Sequence, residues 1–263
     1  MDTVIEVIIL GFIQGLAEFI PISSSGHLVV AQNFFAGASE HLFLQAINLG
    51  TLLALIVFFR HRIVTILKTA MSGKSSRLVR NILITVLPAG LLGFMLADFI
   101  GSEAFFGSSI VVAVSLFTVG IVMILLERIP KASEVADGED LNKFRAFFIG
   151  IMQVLSFIPG VSRSGATIIA GRLSGLSPSA AAEYSFLVAL PILSGVIIKN
   201  IILDMGYISE NLQPLLIGNI TSFIAGLFAI SFLMRYLATH SLAIFGWYRI
   251  ALSTALVVIL LIQ

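Results

Sequence analysis

Six apolar runs of roughly membrane-crossing length decide what this chain can become. They are residues 42–59, 82–100, 108–126, 183–203, 215–236 and 243–262. About 20 helical residues cross a bilayer core. The runs are continuous rather than alternating, which points to helices and not to barrel strands. Composition agrees, with 58% hydrophobic and 11% charged residues, against about 25% charged in a soluble domain. The expected class is an all-α integral membrane protein of the cell membrane. A formal net charge of +1 leaves no basic field for nucleic acid. The absence of cysteine excludes disulfides, thiolate metal sites and a cysteine nucleophile. Asp2 and Glu6 with no basic residue in 1–6, and Glu18 inside the apolar run, do not read as a secretory signal.

Two further hydrophobic regions, 4–31 and 144–173, are each interrupted by Pro, Ser and Gly. The interruptions are Pro21-Ile22-Ser23-Ser24-Ser25-Gly26 and Pro159-Gly160-Val161-Ser162-Arg163-Ser164-Gly165. Backbone freed at membrane depth must be enclosed by protein or water. Both regions are therefore expected to be re-entrant helix-loop-helix hairpins. Residues 11–28 align without gaps over 150–167, an offset of 139, and six of the eighteen pairs are identical, including Gln14/Gln153, Ser23/Ser162 and Ser25/Ser164. Apolar composition bias cannot supply polar identities. One hairpin plus three spans per half implies an inverted repeat, 1–126 and 144–263, joined by a connection at 127–143. Broken helices in such repeats place a site near the midplane. The loop 60–80 holds six basic and no acidic residues, so it is expected in the cytoplasm. Both termini then fall outside. The acidic run 134–140 reads as a solvated loop.

Ionisable residues inside membrane segments are functional hypotheses by default. Here they are Glu18, His27, Arg163, Arg172 and Glu183, with Asp98, Lys199 and Arg249 expected near the interfaces. Gln14 and Glu18 are four apart and share one helix face. Their oxygens could hold a divalent cation or a water, or simply line a hydrogen-bonded helix contact. Pro21 and the serines suit a helix start with a serine as N-cap, and a helix N-terminus favours phosphate. His27 suits a general base or a nucleophile toward phosphorus. Arg163 offers a planar fork for phosphate oxygens. Where the repeat diverges, Glu18 stands over Phe157, Ser24 over Arg163 and His27 over Ala166. One anion cradle reads as duplicated and specialised, and the combined groups suit phosphoryl transfer. Trp247 and Tyr248 read as an interfacial anchor. A secondary transporter of a lipid phosphate or small anion is the competing reading, since it shares broken helices and inverted repeats. It needs no nucleophile or base.

The segments Gln14-Gly15-Leu16-Ala17-Glu18-Phe19-Ile20-Pro21-Ile22-Ser23-Ser24-Ser25-Gly26-His27-Leu28 and Pro159 through Thr167 resemble motifs of the undecaprenyl-diphosphate phosphatase family, the membrane phosphatases known for bacitracin resistance. Ala182-Glu183-Tyr184-Ser185-Phe186-Leu187 through Pro191 is also similar, and the resemblance covers essentially the whole chain. It implies removal of the terminal phosphate from a C55 polyprenyl diphosphate, stimulation by Mg²⁺ or Ca²⁺, an outward-facing site and a homodimer. It also implies catalytic roles for Glu18 and His27, a nucleophile or ligand role for Ser24, and diphosphate binding by Arg163. Gln14, Ser23, Ser25, Gly26, Ser162, Ser164, Gly165 and Thr167 would bind substrate. Many relatives carry a second glutamate where this chain has Gln14. A neutral amide adds no charge toward a metal, so Glu18 or the diphosphate itself would hold the cation.

Overall fold

A computed structural model describes residues 4–31, 35, 41–72, 76–96, 99, 105, 108–129 and 135–262, except the side chains of Val29 and Ala70. The architecture of these residues is helical. The elements are α1 (Val4–Phe19), α2 (Ser24–Ala31), α3 (His41–Ala46), α4 (Asn48–Phe58), α5 (Arg60–Met71), α6 (Arg77–Met95) and α7 (Ser109–Leu126), then α8 (Lys143–Val154), α9 (Arg163–Leu173), α10 (Pro178–Leu203), α11 (Met205–Glu210), α12 (Leu212–Leu237) and α13 (Ala243–Ile262). Six helical segments among the described residues are long and apolar enough to cross a membrane: His41–Phe58, α6, α7, α10, α12 and α13.

Helix starts follow local chemistry. Ser76, Ser108, Asn142 and Ser177 each accept an amide of the first turn, and Pro178 sits where its missing N–H is not needed. One face of α6 exposes Leu83, Leu87, Leu91 and Phe94, and one face of α12 exposes Leu216, Ile220, Ile224 and Phe228. Apolar stripes this long suit lipid.

Helix packing interleaves the two parts of the chain. α1 packs along α12, and α8 along α6. Each first helix of a broken region therefore rests on a span from the other side of the 127–143 connection. Glycines set the approach. A Cβ on Gly15 would stand 2.5 Å from the Ser222 carbonyl oxygen, and one on Gly150 would stand 2.6 Å from that of Thr85. α7 and α13 meet reciprocally: a Cβ on Gly120 would lie 2.8 Å from the Gly246 oxygen, and one on Gly246 would lie 2.6 Å from the Gly120 oxygen.

The structure departs from the sequence expectations in several places. The basic stretch is not simply a loop, because residues 60–71 form α5 on the surface. The first span is interrupted at Ile47, between α3 and α4. There the Asn48 side chain donates to the Leu44 carbonyl and Ser222 takes the Ile47 carbonyl. Such side-chain bonds compete with the helix ladder. The described part of the acidic run is solvated at Glu139 and Asp140 but docked at Asp137 and Gly138. Asp137 pairs with Arg62, which also reaches Glu183 at 3.2 Å. Asn81 donates to the carbonyls of Gly138 and Leu141, and Gly138 abuts Tyr184. α6 and α10 begin five residues earlier than the apolar runs suggest, since their first turns are polar or small. Asp2, Lys74, Asp98 and Glu134 lie outside the described residues.

Candidate active site

The two interrupted segments adopt the same local structure. In each, a serine stands before the second helix with a positive φ, 74° at Ser23 and 73° at Ser162. Non-glycine residues avoid this region, at a cost of about 1–3 kcal/mol apiece. Each of these serines caps its helix: Ser23 Oγ accepts from the Gly26 amide at 3.3 Å, and Ser162 Oγ from the Gly165 amide at 3.2 Å. Each also bonds the hydroxyl two residues on, Ser25 at 3.0 Å and Ser164 at 3.1 Å. The capping serines are thus Ser23 and Ser162, and α2 and α9 begin at Ser24 and Arg163.

The two helix starts are tied to each other. Ser25 Oγ accepts the Gly160 amide at 3.0 Å. Arg249, on α13, reaches both interruptions: it donates to the Pro21 and Val161 carbonyls at 3.0 Å each, and to the Gly160 carbonyl. Gly160 needs its glycine, with φ of +90° and a would-be Cβ 2.6 Å from the Val112 carbonyl oxygen. Arg249 is fully buried within the protein. Among the described residues it has backbone carbonyls for partners and no carboxylate. Nothing in its own neighbourhood of the sequence could have revealed this, because its three partners lie 88 or more residues away.

Glu18 and Arg163 join across the interruptions. Arg163 Nη2 donates to Glu18 Oε1 at 2.8 Å, with each side chain 14% exposed. Gln14 Nε2 donates to Glu18 Oε2 at 3.1 Å and to Asn48 Oδ1 at 2.9 Å. Each Glu18 oxygen therefore already accepts an N–H, which suits an ionised carboxylate. Arg163 Nη1 is buried without a hydrogen-bond partner among the described residues, a donor suited to a phosphate oxygen. Asn48 is a network member that the sequence reading missed. Its signal was an asparagine within an apolar span.

The remaining predicted site residues divide. The Ser24 hydroxyl makes no hydrogen bond among the described residues, and it is half-buried at the first position of α2. His27 is bonded elsewhere than to Ser24: Nδ1 lies 2.8 Å from the Ser23 carbonyl oxygen and Nε2 lies 2.6 Å from the Tyr248 hydroxyl. Tyr248 is therefore part of this network as well as an aromatic near a helix start. Thr167 is buried and faces inward, bonded to the Arg163 carbonyl at 2.8 Å and to Ser185 at 2.6 Å. Ser164 is likewise buried. Among the described residues no cluster of three or more His, Cys, Asp or Glu side chains could hold a metal ion. One carboxylate with both oxygens engaged, beside a guanidinium, does not make a protein-built divalent cage.

This arrangement can bind an anion at paired helix N-termini and can stabilise added negative charge through Arg163. The chain is similar to known proteins along nearly its whole length. The family model described as bacitracin resistance protein BacA matches residues 7–255. An undecaprenyl-diphosphatase of Nitrosomonas eutropha is 37% identical over 249 residues, covering 94% of this chain and 90% of that protein. Undecaprenyl-diphosphatase 3 of Acinetobacter baylyi is 35% identical, covering 97% of each. Undecaprenyl-diphosphatase 2 of Pseudomonas fluorescens is 39% identical, covering 95% of this chain and 91% of that protein.

Proposed function

This chain belongs to the bacitracin resistance protein BacA family, and from that membership we propose that it hydrolyses undecaprenyl diphosphate to the monophosphate and inorganic phosphate. The reaction regenerates the lipid carrier of cell-wall glycan synthesis. The enzyme is a multi-pass protein of the bacterial inner membrane. The observation that carries the site assignment is the Glu18–Arg163 ion pair. It joins the end of α1 to the serine-capped start of α9, where one buried guanidinium nitrogen has no partner among the described residues.

The terminal phosphate sits between the starts of α2 and α9, where first-turn amides lack helical partners. Arg163 Nη1 donates to it, while Glu18, steadied by Gln14, holds the other arm of the guanidinium. Ser23, Ser25, Gly26, Ser162, Ser164 and Gly165 shape the cradle, and Thr167 pins α9 to α10 from behind. Ser24 presents the free hydroxyl, as nucleophile or substrate ligand, and His27 is the base of the site. In the net reaction a water oxygen bonds to the terminal phosphorus, and the bridging oxygen departs with the lipid monophosphate. The protein donors present do not build a cage for Mg²⁺ or Ca²⁺; if either were bound, the diphosphate rather than the protein would hold it, and it would supply neutralisation of phosphate charge. The isoprenoid tail lies along the apolar outer faces of the spans.

The wider organisation belongs to the same proposal. The broken segments are re-entrant hairpins, and the halves 1–126 and 144–263 are inverted copies. Two features support this reading. The serine turns match bond for bond, and α7 and α13 contact each other reciprocally at Gly120 and Gly246. The α5 side faces the cytoplasm and the site faces outward. Two copies form a homodimer. Transport alone is not favoured, since the relatives are named as phosphatases.

The test is phosphate release from undecaprenyl diphosphate by purified protein in detergent, with and without Mg²⁺ or Ca²⁺, beside Arg163→Ala. Wild type is expected to release phosphate. Arg163→Ala is expected to raise KM and to lower kcat by about 100-fold or more, the scale of losing one transition-state donor. Unchanged kinetics in folded Arg163→Ala would overturn the placement of the site.

A further inference from the structure

His27 has two ring nitrogens, and the structure assigns them different work. Nδ1 faces the Ser23 carbonyl oxygen at 2.8 Å. A carbonyl only accepts, so Nδ1 carries the hydrogen. The proton-accepting nitrogen of the neutral ring is then Nε2. Its partner is the Tyr248 hydroxyl at 2.6 Å, with the two rings within 8° of parallel. In that state Tyr248 donates and His27 accepts.

The base nitrogen of His27 is therefore occupied by a phenol. Ser24, three residues before it, is not its hydrogen-bond partner. Tyr248 is 44% exposed, and its hydroxyl makes no other hydrogen bond among the described residues. Its free side is open to a second partner. It also stands next to Arg249, whose guanidinium holds the carbonyls of both interruptions. The backbone carrying Tyr248 is thus fixed to the cradle itself.

We propose that Tyr248 is a catalytic residue of the phosphatase, relaying the proton of the attacking hydroxyl to His27. The inference rests on the phosphatase reading. As the attacking oxygen bonds to phosphorus, its O–H bond breaks and the proton passes to Tyr248 Oη. In the same step the tyrosine's own proton passes to His27 Nε2. The imidazolium formed keeps its Nδ1–H on the Ser23 carbonyl. As the bond from phosphorus to the bridging oxygen breaks, the proton returns through Tyr248 to the phosphate oxygen of the departing lipid monophosphate, so no phenolate accumulates and no other reactant is needed. The arrangement explains why the histidine read as the base is bonded to Tyr248 and the Ser23 carbonyl and not to the Ser24 hydroxyl.

The experiment uses full-length protein in detergent, undecaprenyl diphosphate and phosphate release. It compares wild type, Tyr248→Phe, His27→Ala and the double variant, each checked for folding by its thermal melt. Tyr248→Phe keeps the ring and removes the relay, so kcat is expected to fall by about 10²–10⁴-fold, the span of general acid–base catalysis, with KM within about threefold. The double variant is expected to be no slower than His27→Ala alone, because the two residues act as one unit. Folded Tyr248→Phe with wild-type kcat, or losses that multiply in the double variant, would overturn the relay. Should Tyr248→Phe not fold, replacing Tyr248 by 3-fluorotyrosine, which keeps ring and hydroxyl, gives the second reading. A kcat that does not respond to the more acidic phenol across the pH range overturns the relay. Wild type that releases no phosphate would instead sink the phosphatase reading itself.

Discussion

Arg249 shows how much one side chain can decide here. Burying a cation without a carboxylate is costly unless its hydrogen bonds are made. This one makes three to backbone carbonyls drawn from two distant segments. Removing it would strand those carbonyls, each at a cost of about 1–3 kcal/mol. Arg249→Met is expected to lower the melting temperature by at least about 6 °C and to abolish turnover, with Arg249→Lys recovering part of both. A melt in detergent together with phosphate release checks this. Glu18 differs, because its work is chemical. Glu18→Gln keeps the shape and the Gln14 contact but removes the counter-charge of Arg163. Turnover is expected to fall at least about 100-fold with the melt unchanged; near-normal rates in purified protein would remove Glu18 from the mechanism.

At the scale of elements, glycines set how closely the helices approach. Gly120 and Gly246 each face the other's carbonyl, so α7 and α13 touch backbone to backbone. A β-carbon there cannot be absorbed by a flexible side chain. Gly120→Val is expected to destabilise by about 1–3 kcal/mol, the usual cost of overpacking. Gly195, in α10, offers the matched control, since a Cβ there meets nothing within 4 Å. Gly195→Ala is expected to be neutral, or to stabilise by up to about 1 kcal/mol through helix propensity. Paired thermal melts would show the difference. Backbone geometry also accounts for the two strained serines. A positive φ at Ser23 and Ser162 breaks the helix and redirects it within one residue, and the cap bond and the neighbouring hydroxyl hold the turn.

For the whole molecule, the absence of cysteine makes orientation directly measurable. Single cysteines can be introduced without background at exposed Ser72, after α5, and at exposed Ser209, in α11. In intact cells a membrane-impermeant thiol reagent is expected to label Ser209→Cys and to leave Ser72→Cys unlabelled until the membrane is opened. The reverse pattern would invert the molecule and put the site on the cytoplasmic side.

Helical class, the six spans and the two interruptions were legible in the sequence because they are local. Long apolar runs have no stable alternative in a bilayer, and Pro, Ser and Gly break helices wherever they cluster. The repeat made Ser23, Ser162, Ser25 and Ser164 legible too, and Glu18 and Arg163 stood out as charges in apolar surroundings. What only the tertiary structure decided is which distant groups meet. The Glu18–Arg163 pair spans 145 residues, and the His27–Tyr248 pair spans 221. Asn48 looked like an ordinary span residue, and Arg249 and Tyr248 looked like interfacial ones. The docking of Asp137 on Arg62 was hidden for the same reason. Periodicity and composition report the preference of a segment for water or lipid. They carry no record of which partner satisfies a buried polar group, and that is settled only when the helices pack.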